Sequence, residues 1–216
     1  MNTWMERRQS DLDAILKAGP VVAVVTIENA DDAVPMARAL VAGGVRAIEI
    51  TLRTRAAIDA IRAVAENVSE ALPGAGTVLS GQDLANAERA GAKFAVSPGC
   101  TPELLAAVEK SALPFLPGSA SASEAMWLLA HGYRRQKFFP AEPAGGIDYL
   151  RALAGPLPAI GFCPTGGIRV ENAAAYLKLP NVICVGGSWL TPANLMKAKD
   201  WSAITSLART ATQLRG

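Results

Sequence analysis

The sequence predicts an α/β protein, a single (β/α)8 TIM barrel over residues 1–216 with an extra helix at its N-terminus. Short β-branched runs alternate with amphipathic helical stretches along the whole chain, as in parallel strands joined by crossover helices. No low-complexity linker interrupts this alternation, so we place no domain boundary. A doubly wound open sheet is the competing architecture, but eight strand-helix repeats in 216 residues favour closure of the sheet.

Eight strands are predicted, each a short run rich in apolar residues. In order they are Val21–Val25, Arg46–Leu52, Gly74–Val78, Phe94–Pro98, Phe115–Pro117, Gln136–Phe139, Ile160–Pro164 and Val182–Val185. Many of the helical patterns between them end near a glycine, as helix C-termini do. These patterns include Asp31–Ala42, Arg55–Asn67, Gly81–Ala90, Pro102–Lys110 and Ala122–His131. Residues 2–18 form a further amphipathic pattern, which predicts the extra helix ahead of the first strand.

Composition excludes several classes of function. A formal charge of +2 gives no electrostatic reason to expect nucleic acid or an anionic membrane as a partner. The longest apolar stretch, Pro20–Ile27, is far shorter than the roughly 20 residues that span a bilayer, so we expect a cytoplasmic protein. The single histidine, His131, argues against a catalytic zinc and against a hydrolase triad. The segment GAGTVLSG fails the dinucleotide fingerprint, and we therefore predict no metal and no cofactor.

Polar residues at the carboxyl ends of two predicted strands mark the mouth of the barrel. Because side chains alternate along a strand, Glu49, Thr51 and Arg53 of the second strand share one face, opposite the apolar residues between them. In the sixth strand, Lys137 and Phe139 share a face in the same way. Active sites of (β/α)8 barrels lie at this end of the strands, so we expect these side chains to point inward there.

An inward lysine needs an explanation, because burying its ammonium group costs several kcal/mol unless the group is paired or loses its proton. A desolvated, partly neutral Lys137 could attack a carbonyl and form an iminium that acts as an electron sink for breaking a carbon–carbon bond. A structural pair with Glu49 and a phosphate-binding cation are the alternatives, and position alone does not separate them.

Glu49 and Arg53 have a similar ambiguity, since an Arg and a Glu on one strand face can simply neutralise each other. In the functional interpretation Glu49 moves the protons that iminium formation and carbon–carbon cleavage require. Arg53 would offer its planar guanidinium to a substrate carboxylate.

Two glycine pairs follow the seventh and eighth strands: Gly166–Gly167 and Gly186–Gly187. In barrel enzymes these loops frequently form a phosphate site, because glycine lets backbone N–H groups converge on an anion. Tight turns without a ligand are the alternative. The occurrence of both pairs, at these two positions, favours phosphate binding.

With these residues placed, the sequence closely resembles the 2-keto-3-deoxy-6-phosphogluconate aldolase family, which also handles 4-hydroxy-2-oxoglutarate. The matching stretches run in order from Val21 to Pro192. They are AVPMARALVAGGVRAIEITLRT, GAGTV, FAVSPG, KFFPAE, FCPTGGI and GGSWL. The resemblance implies a homotrimeric class I lyase that cleaves the phosphorylated substrate to pyruvate and glyceraldehyde 3-phosphate.

The same resemblance assigns roles to individual residues. It implies that Lys137 forms the Schiff base, that Glu49 is the general acid/base, and that Arg53 and Thr77 contact the substrate carboxylate. The remaining positions are the pocket wall at Pro98 and Phe139 and the phosphate loops at Thr165, Gly166, Gly167, Gly186, Gly187 and Ser188. One departure lies at Ser121, where relatives often carry threonine, and it bears on which aldehyde is preferred.

Other functions compete with this interpretation. A phosphosugar isomerase or epimerase would use Glu49 as base without an iminium, and its turnover would survive Lys137→Met. A phosphometabolite-binding module would show ligand-dependent stabilisation and no product. A related 2-oxo acid aldolase with a different aldehyde, such as the 6-phosphogalactonate epimer, would retain the lysine chemistry.

Overall fold

The computed structural model describes residues 3–214, and within them parallel strands alternate with helices. The strands are β1 (Val21–Val25), β2 (Ala47–Thr51), β3 (Leu72–Gly76), β4 (Phe94–Val96), β5 (Phe115–Leu116), β6 (Gly118–Ser119), β7 (Arg135–Phe138), β8 (Gly161–Pro164) and β9 (Val185–Gly187). The helices are α1 (Thr3–Leu16), α2 (Ala33–Ala42), α3 (Ala57–Asn67), α4 (Gly81–Arg89), α5 (Pro102–Val108), α6 (Ala122–Ala130), α7 (Gly146–Ala154), α8 (Val170–Leu177), α9 (Ala193–Ala198) and α10 (Trp201–Thr212), with a short 3-10 helix at Ala30–Asp32. Between residues 3 and 214, no helix has the length and apolar character needed to cross a membrane.

The strands form two curved parallel sheets. One has six strands in the order β5-β4-β3-β2-β1-β9, and the other has three in the order β6-β7-β8. Single parallel bridges, Phe162 with Val182 and Thr165 with Gly186, connect β8 to the segment that contains β9. The predicted α/β class with parallel strands is thus confirmed.

Only the first predicted strand has the observed bounds. The second, third, fourth, sixth and seventh differ from β2, β3, β4, β7 and β8 by one or two residues at one or both ends, and the other two differ more. The predicted fifth strand, Phe115–Pro117, is divided into β5 and β6 on either side of Pro117, which has no backbone N–H to donate to a ladder. The predicted eighth strand, Val182–Val185, was wrong in its bounds, since the ladder with β1 begins only at Val185. Before that point the chain bonds to β8 instead, with Ile183 N–H donating to Phe162 O at 2.9 Å.

The predicted N-terminal helix is confirmed as α1, although residue 2 of the predicted range lies outside the described residues. Helix α1 covers the amino ends of the strands. Its apolar face buries Leu12, Ile15 and Leu16 against inward side chains near the strand starts, including Ala47 and Phe94. Burial of each such leucine or isoleucine contributes about 1.5–3 kcal/mol. Helix α1 thus fills much of this end of the sheet interior with apolar side chains.

The alternation predicted for the second strand is observed in β2. Ile48 and Ile50 are fully buried in the larger apolar cluster between the sheets and the helices. Glu49 and Thr51, on the other face, are 2% and 0% exposed and belong to the buried polar residues. The strand therefore presents one apolar face to the helices and one polar face to the interior.

Candidate active site

Lys137 on β7 and Glu49 on β2 form a buried ion pair. Lys137 Nζ donates to Glu49 Oε1 at 3.0 Å, and the two side chains are 5% and 3% exposed. The same nitrogen lies 5.2 Å from the centre of the Phe139 ring, close enough for a cation–π contact. The structure thus brings together the predicted lysine, the predicted acid and one predicted wall residue. In this geometry a proton can pass directly between amine and carboxylate.

Gly76 on β3 makes room for the carboxylate of this pair. A β-carbon on Gly76 would overlap the Oε1, Cγ and Cδ atoms of Glu49. Because side chains that replace glycine here would displace Glu49, the close approach of that carboxylate to the β3 backbone requires glycine.

Arg53 and Thr77 form a second contact at the carboxyl ends of β2 and β3. Arg53 Nε donates to Thr77 Oγ1 at 3.2 Å. Since that bond uses Nε, the terminal amino groups of the guanidinium are the ones suited to a carboxylate. Thr77 has a φ of 60°, a left-handed conformation that is rare for a β-branched residue and concentrates at functional sites.

Thr51, predicted on the same face as Glu49, has a structural contact. Its hydroxyl donates to Val25 O at 3.1 Å and lies 3.0 Å from Thr26 Oγ1. Thr51 therefore joins β2 to the end of β1 beside the ion pair.

The two predicted phosphate loops lie next to each other. The bridge between Thr165 and Gly186 joins them, and a β-carbon on Gly186 would overlap the Thr165 hydroxyl. Gly166 and Gly167 have φ values of 98° and 81°, which only glycine adopts without strain. Helix α8 begins at Val170, directly after this loop, so its N-terminus and the glycine loop combine two features that favour an anion.

The other predicted residues lie at the same end of the strands. Pro98 follows β4 and is partly buried, and its carbonyl lies so close to Gly118 that a side chain there would overlap it. Ser188 follows β9 and is exposed. The contacts among these residues therefore group the predicted site into the Lys137 cluster, the Arg53–Thr77 pair and the glycine loops.

Comparison with known proteins agrees with this arrangement. Residues 12–207 match the family model described as KDPG and KHG aldolase. The chain belongs to this family. Over 209 residues it is 50% identical to the KHG/KDPG aldolase of Escherichia coli strain K12, covering 97% of this chain and 98% of that protein. It is 51% identical over 207 residues to the 2-dehydro-3-deoxy-phosphogluconate aldolase of Dickeya dadantii, covering 96% and 97% of the two chains.

A solved relative extends the similarity to three dimensions. The KDPG aldolase of Legionella pneumophila, crystallised with pyruvate captured at low pH as a covalent carbinolamine intermediate, is 48% identical to this chain. The two structures superpose with a TM-score of 0.90 over 93% of this chain and 97% of that one. Membership of the KDPG and KHG aldolase family, predicted from the motifs, is thus confirmed.

Two residues beside the glycine loop, Glu142 and Tyr176, were not predicted from the sequence. Glu142 follows the KFFP segment, and its carboxylate accepts a hydrogen bond from the hydroxyl of Tyr176 on α8. Glu142 was visible in the sequence as a polar residue after a strand, but nothing in the sequence pairs it with Tyr176. Burial and the hydrogen bond to Glu142 raise the pKa of Tyr176.

Ser121, where the resemblance suggested a departure from the family pattern, has a local structural role. Its hydroxyl accepts from Glu124 N–H at 3.3 Å, while the Glu124 carboxylate accepts from Ser121 N–H at 2.9 Å. This reciprocal pair is a capping box at the start of α6. Threonine would form the same cap, so serine at this position is compatible with the helix that relatives with threonine would form.

Proposed function

We propose that this chain is a class I aldolase that cleaves 2-dehydro-3-deoxy-6-phosphogluconate to pyruvate and glyceraldehyde 3-phosphate. The observation that carries the proposal is the buried Lys137 Nζ at 3.0 Å from Glu49 Oε1. The names of the relatives support the substrate, and the name KHG/KDPG aldolase of the Escherichia coli relative supports a second reaction, cleavage of 4-hydroxy-2-oxoglutarate to pyruvate and glyoxylate.

The first chemical stage is capture of the 2-oxo acid by Lys137. Transfer of its proton to Glu49 leaves a neutral amine, whose lone pair attacks the C2 carbonyl and forms a carbinolamine. Glu49 then returns a proton to the carbinolamine hydroxyl, and water leaves to give the iminium. The 3.0 Å hydrogen bond between the two residues provides the path for the first transfer.

The second stage breaks the bond between C3 and C4. A base removes the C4 hydroxyl proton, the C3–C4 electron pair moves toward the iminium nitrogen, and the aldehyde leaves. Protonation of the resulting enamine at C3 and hydrolysis of the new iminium release pyruvate and regenerate the amine. Glu49 is the group placed to exchange these protons, directly or through water.

Substrate positioning falls to the other predicted residues. Arg53, held by Thr77, would bind the C1 carboxylate. Pro98 and Phe139 would form the pocket wall around the reacting carbons. The phosphate would lie against backbone N–H groups of the two glycine loops and Ser188. Their spacing from Lys137 orients the bond to be broken, which is how remote binding accelerates chemistry.

We also propose that residues 1–216 act as one domain in which the strands complete a (β/α)8 barrel. The two single bridges between β8 and the β9 segment support closure on one side, and the continuity of β5 and β6 through Pro117 supports it on the other. A homotrimer is the assembly that the family resemblance suggests, and the short apolar stretches of the sequence suggest that it is cytoplasmic. Light scattering on the purified chain would measure its subunit number.

Reductive trapping tests the function directly. Incubation with pyruvate and borohydride should add one reduced pyruvate to the chain, located at Lys137 by peptide mass analysis. Lys137→Ala should lose both the adduct and pyruvate release from the phosphorylated substrate.

A matched control keeps this test specific. Lys93 also adjoins a strand, but it is exposed at the amino end of β4, so Lys93→Ala should trap pyruvate at the wild-type rate. An adduct that forms on Lys137→Ala, or turnover that persists in it, would remove the nucleophile from the proposal.

A further inference from the structure

The segment that follows the reactive lysine is hydrogen-bonded to the proposed phosphate loop. Ala141 N–H donates to Thr165 O at 2.8 Å, and Glu142 N–H donates to Gly166 O at 3.0 Å. Strand β7, which carries Lys137, ends at Phe138. Three residues later the same chain is hydrogen-bonded to the backbone of the loop.

The side chain of Glu142 lies directly behind this loop. A β-carbon on Gly167 would come within 2.7 Å of Glu142 Cβ and 2.5 Å of its Cγ. The methylene groups of Glu142 are thus packed against the backbone of Gly167.

Tyr176 holds the Glu142 side chain in this position. Tyr176 is 0% exposed on α8, and its hydroxyl donates to Glu142 Oε1. Gly146 makes room for the contact, since a β-carbon there would lie 3.1 Å from the Tyr176 hydroxyl and 3.4 Å from Glu142 Oε1. A buried hydroxyl aimed at one carboxylate oxygen fixes the side chain better than solvent can, because hydrogen bonds to charged groups are stronger than neutral ones.

We propose that Tyr176 and Glu142 are positioning residues that set the distance between the phosphate loop Thr165–Gly167 and the Schiff-base lysine. The inference rests on the proposed function and deepens it by assigning the terminal phosphate, rather than the 2-oxo acid end, as the part of the substrate that depends on them. Neither residue touches the reacting carbons. Their loss should weaken recognition of the phosphate while leaving iminium formation intact.

The test is Tyr176→Phe in the full chain, measured on two compounds. With 2-dehydro-3-deoxy-6-phosphogluconate, kcat/KM should fall about tenfold, which corresponds to about 1.4 kcal/mol, mostly through a rise in KM. Pyruvate carries no phosphate, so its half-saturating concentration for borohydride trapping at Lys137 should remain at the wild-type value. Competitive inhibition by inorganic phosphate should weaken by a factor similar to that of KM.

Two further variants separate positioning from general damage. Glu142→Gln keeps an oxygen that can accept from Tyr176 but loses the charge, so its KM should lie between those of wild type and Tyr176→Phe, whereas Glu142→Ala should behave like Tyr176→Phe. Tyr133→Phe is the matched control. Tyr133 is 2% exposed, and no partner for its hydroxyl exists among residues 3–214, so the variant removes a buried hydroxyl elsewhere and should leave both readouts unchanged.

The outcomes distinguish this inference from the function it rests on. The positioning role is overturned if Tyr176→Phe and Glu142→Ala raise the KM for the phosphorylated substrate and the half-saturating pyruvate concentration by the same factor. It is also overturned if they change neither value. Should Tyr176→Phe fail to fold, Glu142→Ala decides alone, because Glu142 lies on the surface. If the wild-type chain forms no pyruvate adduct on Lys137, the proposed function itself is wrong.

Discussion

The carboxylate of Glu49 on β2 occupies the space that a side chain on Gly76, on the neighbouring strand β3, would need. Gly76→Ala should push the carboxylate away from Lys137 Nζ. A displacement of about 1 Å in a catalytic group can cost about 100-fold in rate, so we expect kcat/KM to fall by about that factor. Overpacking should also lower the free energy of unfolding by about 1–3 kcal/mol.

Enzyme kinetics and urea unfolding would measure the two effects of Gly76→Ala. Gly155→Ala is the control, because no atom lies within 4 Å of the β-carbon it would introduce. Wild-type activity in Gly76→Ala would mean that the Glu49 position is not critical for turnover.

The buried ion pair makes a prediction about stability. Removing one partner of such a pair leaves an uncompensated charge and typically costs about 3–5 kcal/mol, whereas replacing both with apolar groups is often neutral. Lys137→Met and Glu49→Met should each be strongly destabilising, and the double variant should be clearly more stable than the sum of the two predicts. Urea unfolding of all four proteins completes the cycle. Strict additivity would show that the two groups do not interact in solution.

The Arg53 guanidinium should matter for its shape as well as its charge. Arg53→Lys keeps a cation but loses the planar pair of donors, and a hydrogen bond to a charged group contributes about 1.5–3 kcal/mol. We therefore expect the half-saturating pyruvate concentration in borohydride trapping to rise about tenfold or more. The rate at saturating pyruvate should change little, because Lys137 is untouched.

Arg55→Lys provides the comparison for Arg53→Lys, since Arg55 is also exposed and lies two residues further along the chain. Equal responses of the two variants would indicate a general charge effect and would count against a carboxylate contact at Arg53.

Local periodicity was enough to place the central pair of the site. The alternation around Ile48 and Ile50 predicts an inward Glu49, and the same rule applied to the sixth strand predicts an inward Lys137. Parallel strands bring their carboxyl ends to one edge, so residues 88 positions apart meet at hydrogen-bond distance. The two inward orientations each use a few consecutive residues, whereas the contact itself joins β2 and β7, which belong to different sheets.

Other features depend on tertiary placement and were not predictable in this way. The contact between Tyr176 and Glu142 spans 34 residues and depends on how α8 packs beside the loop after β7. The division of the fifth strand at Pro117 depends on which strand each half pairs with. By contrast, the capping box at Ser121 has a sequence signature, Ser-x-x-Glu, and could have been predicted.

The contact between α1 and β7 predicts a pH-dependent contribution to stability. The Asp13 carboxylate accepts two hydrogen bonds from the Arg135 guanidinium, and the Arg135 hydrogen bond is the main cause that lowers the pKa of Asp13. Because the folded-state pKa is lowered, the contribution is fully present above the unfolded value of about 3.9 and is lost as the pH falls below it. Asp13→Asn should therefore destabilise the chain by up to about 1 kcal/mol at neutral pH.

Urea unfolding of wild type and Asp13→Asn at about pH 7 and about pH 3 would measure this difference, which should shrink at the lower pH as the wild-type carboxylate gains its proton. Asp11→Asn on the same helix is the control, because Asp11 is exposed and should change stability little at either pH. A difference between wild type and Asp13→Asn that stays constant down to pH 3 would contradict an electrostatic origin, since only the charged form of Asp13 gains from Arg135.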